Sequence, residues 1–96
     1  MFDKLYIFQA RDALMNRFIH MKHKILEDST NRFSVSVKVK DRDIEVRLTC
    51  LKKNSVTVDV IDPFGIIRIP RTTFKKLDDF RVFILTDISK IVADRV

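Results

Sequence analysis

The chain is short of the residues that build several kinds of functional site. It has a single glycine, Gly65, so a glycine-rich loop cradling phosphates is excluded. It has a single cysteine, Cys50, so no internal disulfide can form, which fits a reducing compartment. Cys50 falls on the apolar side of its run, where a free thiol packs as a small hydrophobe. No apolar stretch approaches the ~20 residues that a membrane-spanning helix needs. Asp3, Lys4, Arg11 and Asp12 interrupt the N-terminal apolar residues, so no signal peptide is expected there. The cytoplasm is the expected location. No Ser or Cys stands with a His base in a strand, turn and helix setting, and no pair of acids occupies apolar positions. The expectation is a protein without catalytic residues, metal ligands or a cofactor.

What is present is alternation. Phe33, Val35, Val37 and Val39 alternate with Ser34, Ser36, Lys38 and Lys40. Ile44, Val46, Leu48 and Cys50 alternate with Glu45, Arg47 and Thr49, and Val56, Val58 and Val60 with Ser55, Thr57 and Asp59. Ile67 and Ile69 flank Arg68. Successive strand side chains point to opposite faces, so each run reads as a strand with one dry and one wet face. Short links at Asp41-Arg42 and Lys52-Lys53-Asn54 make the pairing antiparallel. Doubled apolar residues at Cys50 and Leu51 suggest a bulge that curls the sheet. Asp62-Pro63-Phe64-Gly65 is a type I turn signal with Phe64 at its tip. Pro70 closes the fourth strand, and Thr73 to Leu77 reads as a short helical turn. Phe80 to Thr86 is apolar on both sides and reads as a fifth strand, buried on two faces or sealed at an interface.

Residues 1–30 read as one long helix. Ile7, Ala10, Leu14, Phe18, Met21 and Ile25 line one face at helical spacing, with no Gly or Pro to interrupt them. Leu5 to Phe8, continuously apolar, leave a strand open at the beginning. Glu27 to Asn31 end the segment. The stripe can cover the dry face of the sheet or pair with its twin in a dimer. His20, His23 and Glu27 would be neighbours on such a helix, but a metal site needs further ligands that the sheet does not supply. Asp87 caps a last helix carrying Ile88, Ile91, Val92 and Arg95.

Together these elements predict one α+β domain over residues 1–96. A long N-terminal amphipathic helix (1–30) packs on a curled antiparallel sheet or small barrel of about five strands (33–86), and a short C-terminal helix follows (87–96). Charge is uneven. The net charge of +6 concentrates in residues 33–76, which hold ten Lys/Arg against five Asp/Glu. A basic excess favours a polyanionic partner. Lys38, Lys40, Arg47, Lys52, Lys53, Arg68 and Arg71 are the candidate phosphate contacts, and Phe64 a candidate for base stacking. The expected function is a small regulatory protein binding nucleic-acid backbone through the sheet's outer face. The alternative is a protein-interaction module: a small inhibitor or adaptor on an acidic protein surface, or a subunit of an oligomer, a homodimer included.

Asp43 to Leu77 resembles the core of the carbon storage regulator (CsrA/RsmA) family of RNA-binding translational regulators. The shared pattern is a strand (Ile44-Glu45-Val46-Arg47-Leu48), a Lys53-Asn54 turn, Val56-Thr57-Val58, a turn at Pro63 and a short run ending in Arg71. The resemblance implies RNA ahead of DNA as partner, with Arg71 at the position of an RNA-contacting arginine. The family's Arg-containing first strand and following Gly-Glu are missing, and Thr72-Thr73 stand where it has an acidic pair. The helix and bent small barrel also resemble Sm-like and Hfq proteins, without their signature residues.

Overall fold

A computed structural model of the chain describes residues 4–52 and 54–94. Helix α1 (Ile7–Phe18) leads into strands β1 (His23–Asp28), β2 (Arg32–Val39), β3 (Arg42–Thr49), β4 (Val56–Ile61) and β5 (Thr72–Phe74). A helical segment follows: α2 (Leu77–Phe83), a π-helical turn (Ile84–Ile88) and α3 (Ser89–Asp94). The five strands form one antiparallel sheet in the order β1-β2-β3-β4-β5, an open meander rather than a barrel.

The α+β class and the five-strand antiparallel sheet are as expected; the distribution of helix is not. The expected helix over 1–30 is twelve residues long, and its C-terminal third is instead strand β1. Two competing uses of the same residues explain this. The polar run Glu27 to Asn31 can close a helix or turn a hairpin. Here it turns one: Ser29 N–H donates to the Arg32 carbonyl (2.8 Å) and Arg32 N–H to Ser29 Oγ (3.2 Å). Ladder pairing of β1 with β2 then outweighs a weak local helical preference. At the start, Lys4 makes a lone bridge to Lys76, and Tyr6 N–H donates to Gln9 Oε1 (3.0 Å), which opens α1.

Phe80 to Thr86 is helix and not a fifth strand. A continuous apolar run reads either way, because strand and buried helix differ only in period. Phe80, Phe83, Ile84, Ile88 and Ile91 are buried in the C-terminal segment, while Val82 and Leu85 are exposed. The expected C-terminal helix over 87–96 therefore begins ten residues earlier. Its π turn is fastened by a side chain: Ser89 Oγ donates to the Ile84 carbonyl (3.2 Å) and accepts from Arg17 Nη2 of α1 (2.5 Å).

Ile67 to Ile69 carries no strand. The Ile67 N–H is spent on the Asp62 carboxylate (2.9 Å) and not on a ladder. The final strand is Thr72–Phe74 instead, where a helical turn was expected. Thr73 there shares a hydroxyl hydrogen bond with Thr57 (2.9 Å). The bulge lies in β1 at Leu26, between the Ile25 and Glu27 pairings, and not near Leu51.

The dry face is as the alternation implies. Phe33, Val35, Val37, Val39, Ile44, Val46, Leu48, Val56 and Val58 are all buried. Ala10, Leu14 and Phe18 of α1 close over β2 and β3. Phe74 of β5 meets Phe80 edge-on (5.6 Å between ring centres) and Phe83 at 4.9 Å, which seats α2. Burying one such aromatic or branched side chain is worth about 1.5–3 kcal/mol, so this layer carries most of the stability.

Candidate nucleic-acid interface

The wet face of the sheet is built by the even-numbered residues of β2 and the odd-numbered residues of β3 and β4. Register fixes the rows across it. Ser36 opposes Glu45, which opposes Ile61. Ser34 opposes Arg47, which opposes Asp59. Arg32 opposes Thr49, Thr49 opposes Thr57, and Thr57 opposes Thr73.

The central rows are electrically balanced. Arg47 pairs with Glu45 (2.9 Å). Arg71 reaches back from the loop to hold Asp59 with Nε (2.7 Å) and Nη2 (3.1 Å). The hydrogen bond from Asp59, with its charge, holds the Arg71 guanidinium above its ordinary value. Beyond these rows, beside the β2–β3 turn, Lys38 pairs with Asp43 (3.7 Å). These are solvated pairs, each worth about 0–1 kcal/mol, so a phosphate can compete for the cation but meets a carboxylate on arrival.

On the sheet, the cations without a carboxylate partner among the described residues gather at the two ends of the wet face; Arg17 of α1, bonded to Ser89, and Lys4 and Lys76 lie away from it. At the end formed by the start of β1 and the β2–β3 turn stand Lys22, Lys24 and Lys40, all exposed. Lys22 and Lys38 are backbone neighbours, the Lys38 N–H donating to the Lys22 carbonyl (2.8 Å). A shallow groove of about 360 Å³ runs between Lys22, Lys24, Ser36 and Lys38, with Asp43 on its rim. Arg32, Lys52 and Lys75 are exposed at the opposite end. Lys52 and Lys75 border a cavity of about 270 Å³ with Ser55, Thr57 and Thr73. That end offers three cations and a row of hydroxyl groups, a donor set suited to phosphate oxygens.

The sequence-based candidates divide accordingly. Lys38 and Lys40 belong to the first end. Phe64 and Arg68 lie in the loop after β4 at that same end of the strands. Phe64 is 68% exposed at its tip, and Arg68 Nε donates to the Gly65 carbonyl (3.0 Å). Lys52 belongs to the second end. Arg47 and Arg71 are in the neutral middle. Lys53 lies outside the described residues. Lys22, Lys24, Arg32 and Lys75 were not among the candidates. Arg32 extends the alternation of β2 backwards by one step, and Lys22 and Lys24 are two residues apart, the strand period that the helical stripe hid.

One internal pair fixes the geometry of the first end. The Asp62 side chain is fully buried, and both its oxygens accept from Arg42 Nε (3.2 Å each). It also accepts from the N–H groups of Phe64 (3.0 Å) and Ile67 (2.9 Å). Burial pushes this carboxyl up, but the two backbone donors and the guanidinium outweigh it and leave it below its ordinary 3.8. Asp62 thereby ties the Phe64 loop to the first residue of β3. Gly65, with φ of 68°, closes the turn by donating its N–H to the Asp62 carbonyl (3.0 Å).

Cys50 is half-buried just beyond β3, its Sγ donating to the Lys52 carbonyl (3.2 Å). His20, His23 and Glu27 no longer share a helix. Among the described residues, no three His, Cys, Asp or Glu side chains come together to hold a metal, and no helix is long and apolar enough to cross a membrane. No protein-family model, curated protein or solved structure matches this chain. The class it defines is therefore structural: an open five-strand α+β meander with one helical layer and a wet face basic at both ends.

Proposed function

We propose that the protein binds nucleic acid, RNA ahead of DNA, through the two basic ends of its wet face and catalyses no reaction. The observation that carries this reading is the separation of charge: the cations of the centre are matched by carboxylates, while most of those at the ends are not. Backbone phosphates would be held by Lys22, Lys24 and Lys40 at one end, with Lys38 beside them, and by Arg32, Lys52 and Lys75 at the other. Phe64 would offer a face for a base beside the first end. RNA comes ahead of DNA through the likeness of Asp43 to Leu77 to the carbon storage regulators.

Fluorescence anisotropy with a mixed-sequence RNA oligonucleotide over a salt series tests it. Replacing Lys22 and Lys40 with Gln should lower the salt slope by about 0.7 for each phosphate of a single strand that is no longer neutralised. The pair Arg47→Gln and Arg71→Gln should change it less. Equal binding by wild type and the Lys22/Lys40 variant would refute the assignment.

A second reading is favoured by a separate observation. Leu51, 82% exposed, and Phe8 border a cavity of about 380 Å³ with Tyr6, Thr30 and Asn31. An exposed apolar surface of this kind suits a protein-interaction module. Recovery of one protein partner in a nuclease-treated pull-down, abolished by Leu51→Ser, would favour it.

A further inference from the structure

The two edges of the sheet are unequal. β5 is three residues long, and the Lys4–Lys76 bridge lies just beyond it. β1 has six residues, every one exposed, and among the described residues it pairs only with β2. Ile25 and Leu26 are each about half exposed there (48% and 49%). Such an edge is a template for another strand.

We infer that β1 pairs antiparallel with β1 of a second copy of this chain, about a two-fold axis at Ile25. The argument is one of register. β2 defines five successive positions along β1: Val37, Ser36, Val35, Ser34 and Phe33 face His23, Lys24, Ile25, Glu27 and Asp28, with Leu26 as the extra residue of the bulge. A two-fold axis perpendicular to the sheet keeps each residue on its own face, so one residue must oppose its own copy. Centring on Lys24, Glu27 or Asp28 sets like charges together on the axis. Centring on His23 sets Lys22 against the partner's Lys24. Centring on Ile25 places Ile25 against the partner's Ile25, Lys24 against the partner's Glu27 and His23 against the partner's Asp28, with each pair made twice. Neither Lys24 nor Glu27 has a charged partner within its own chain among the described residues, so both are free for this contact. His23 binds the Met21 carbonyl through Nδ1 (2.8 Å), which leaves Nε2 free, and Asp28 already holds Arg11 (3.3 Å). The bulge is what makes the pattern work. It puts Lys24 and Glu27, three apart in sequence, on the same wet face.

Sedimentation equilibrium on the full chain tests the register through a charge swap. Wild type should reach twice the monomer mass with rising concentration. Lys24→Glu alone and Glu27→Lys alone each turn two attractive cross-strand pairs into repulsive ones and should weaken the dimer about tenfold or more. Mixing the two single variants, or combining both substitutions in one chain, should restore it. Circular dichroism should be unchanged throughout, because neither side chain has an internal charge partner. A wild type that stays monomeric at high concentration, or a dimer indifferent to the single reversals, or reversals that mixing does not rescue, would each overturn the inference. Lys24 is also a proposed phosphate contact, so RNA is left out of the sedimentation runs: Glu27→Lys, which removes no phosphate contact, reads the dimer alone, and loss of RNA binding in Lys24→Glu leaves the dimer result unchanged.

Discussion

β1 and β2 are joined by one hairpin and share a ladder, yet they live in different solvents. β2 has five of its eight residues buried; β1 has none of its six. The difference does not come from composition alone, since Ile25 and Leu26 are as apolar as Val35 and Val37. It comes from the helical layer, which covers β2 and β3 but leaves β1 exposed, touching it through the Arg11–Asp28 pair. A strand covered on one face contributes burial to the fold, whereas an uncovered one is held by hydrogen bonds and offers both faces to partners.

Core truncation should separate the two strands most sharply. Phe33→Ala in β2 should cost about 3–5 kcal/mol in urea unfolding, and Ile25→Ala in β1 below about 1 kcal/mol when measured at dilute, monomeric concentration. Comparable losses would mean that β1 is covered after all. Breaking the Arg42–Asp62 pair ranks alongside. Arg42→Met leaves a buried carboxylate without its cation, and stability should fall by about 3–5 kcal/mol.

The same carboxylate sets an acid dependence. Its folded value lies below the ordinary 3.8, so its contribution is fully present above 3.8 and is lost as pH falls through the folded value. Stability curves of wild type and Asp62→Asn, measured from pH 6 down to 2, should converge in that acid range. Parallel curves would show that Asp62 is not the titrating group.

The smallest expected effect is at the β2–β3 turn. Lys40 has a φ of 55°, a left-handed conformation that costs a side chain about 1 kcal/mol. Lys40→Gly should therefore raise the unfolding midpoint slightly while weakening RNA binding. A variant that gained stability without losing affinity would remove Lys40 from the interface.

Much of the sheet was legible because period two is unambiguous when valines and isoleucines alternate with polar residues. Phe33 to Val39, Ile44 to Leu48 and Val56 to Val60 fall where the pattern puts them. Legibility failed where pattern and context diverge. His23 to Asp28 lacks alternation because an edge strand with neither face covered has no reason to alternate. Phe80 to Ile91 is apolar at spacings that helix and strand share, and a π turn shifts the phase midway. The candidate surface was legible only in part. Sequence shows where cations are but not which carboxylates stand opposite, and Arg47 and Arg71 are decided by cross-strand neighbours that only register reveals.

The shortness of β5 has its own consequence. A protein with two usable rims can string into fibres, each new molecule exposing a fresh rim. Among the described residues this one has a single long rim, and β5 offers three residues beside the Lys4–Lys76 contact. If β1 joins a second copy as inferred, growth by edge joining would end after one step, without the hazard of polymerising.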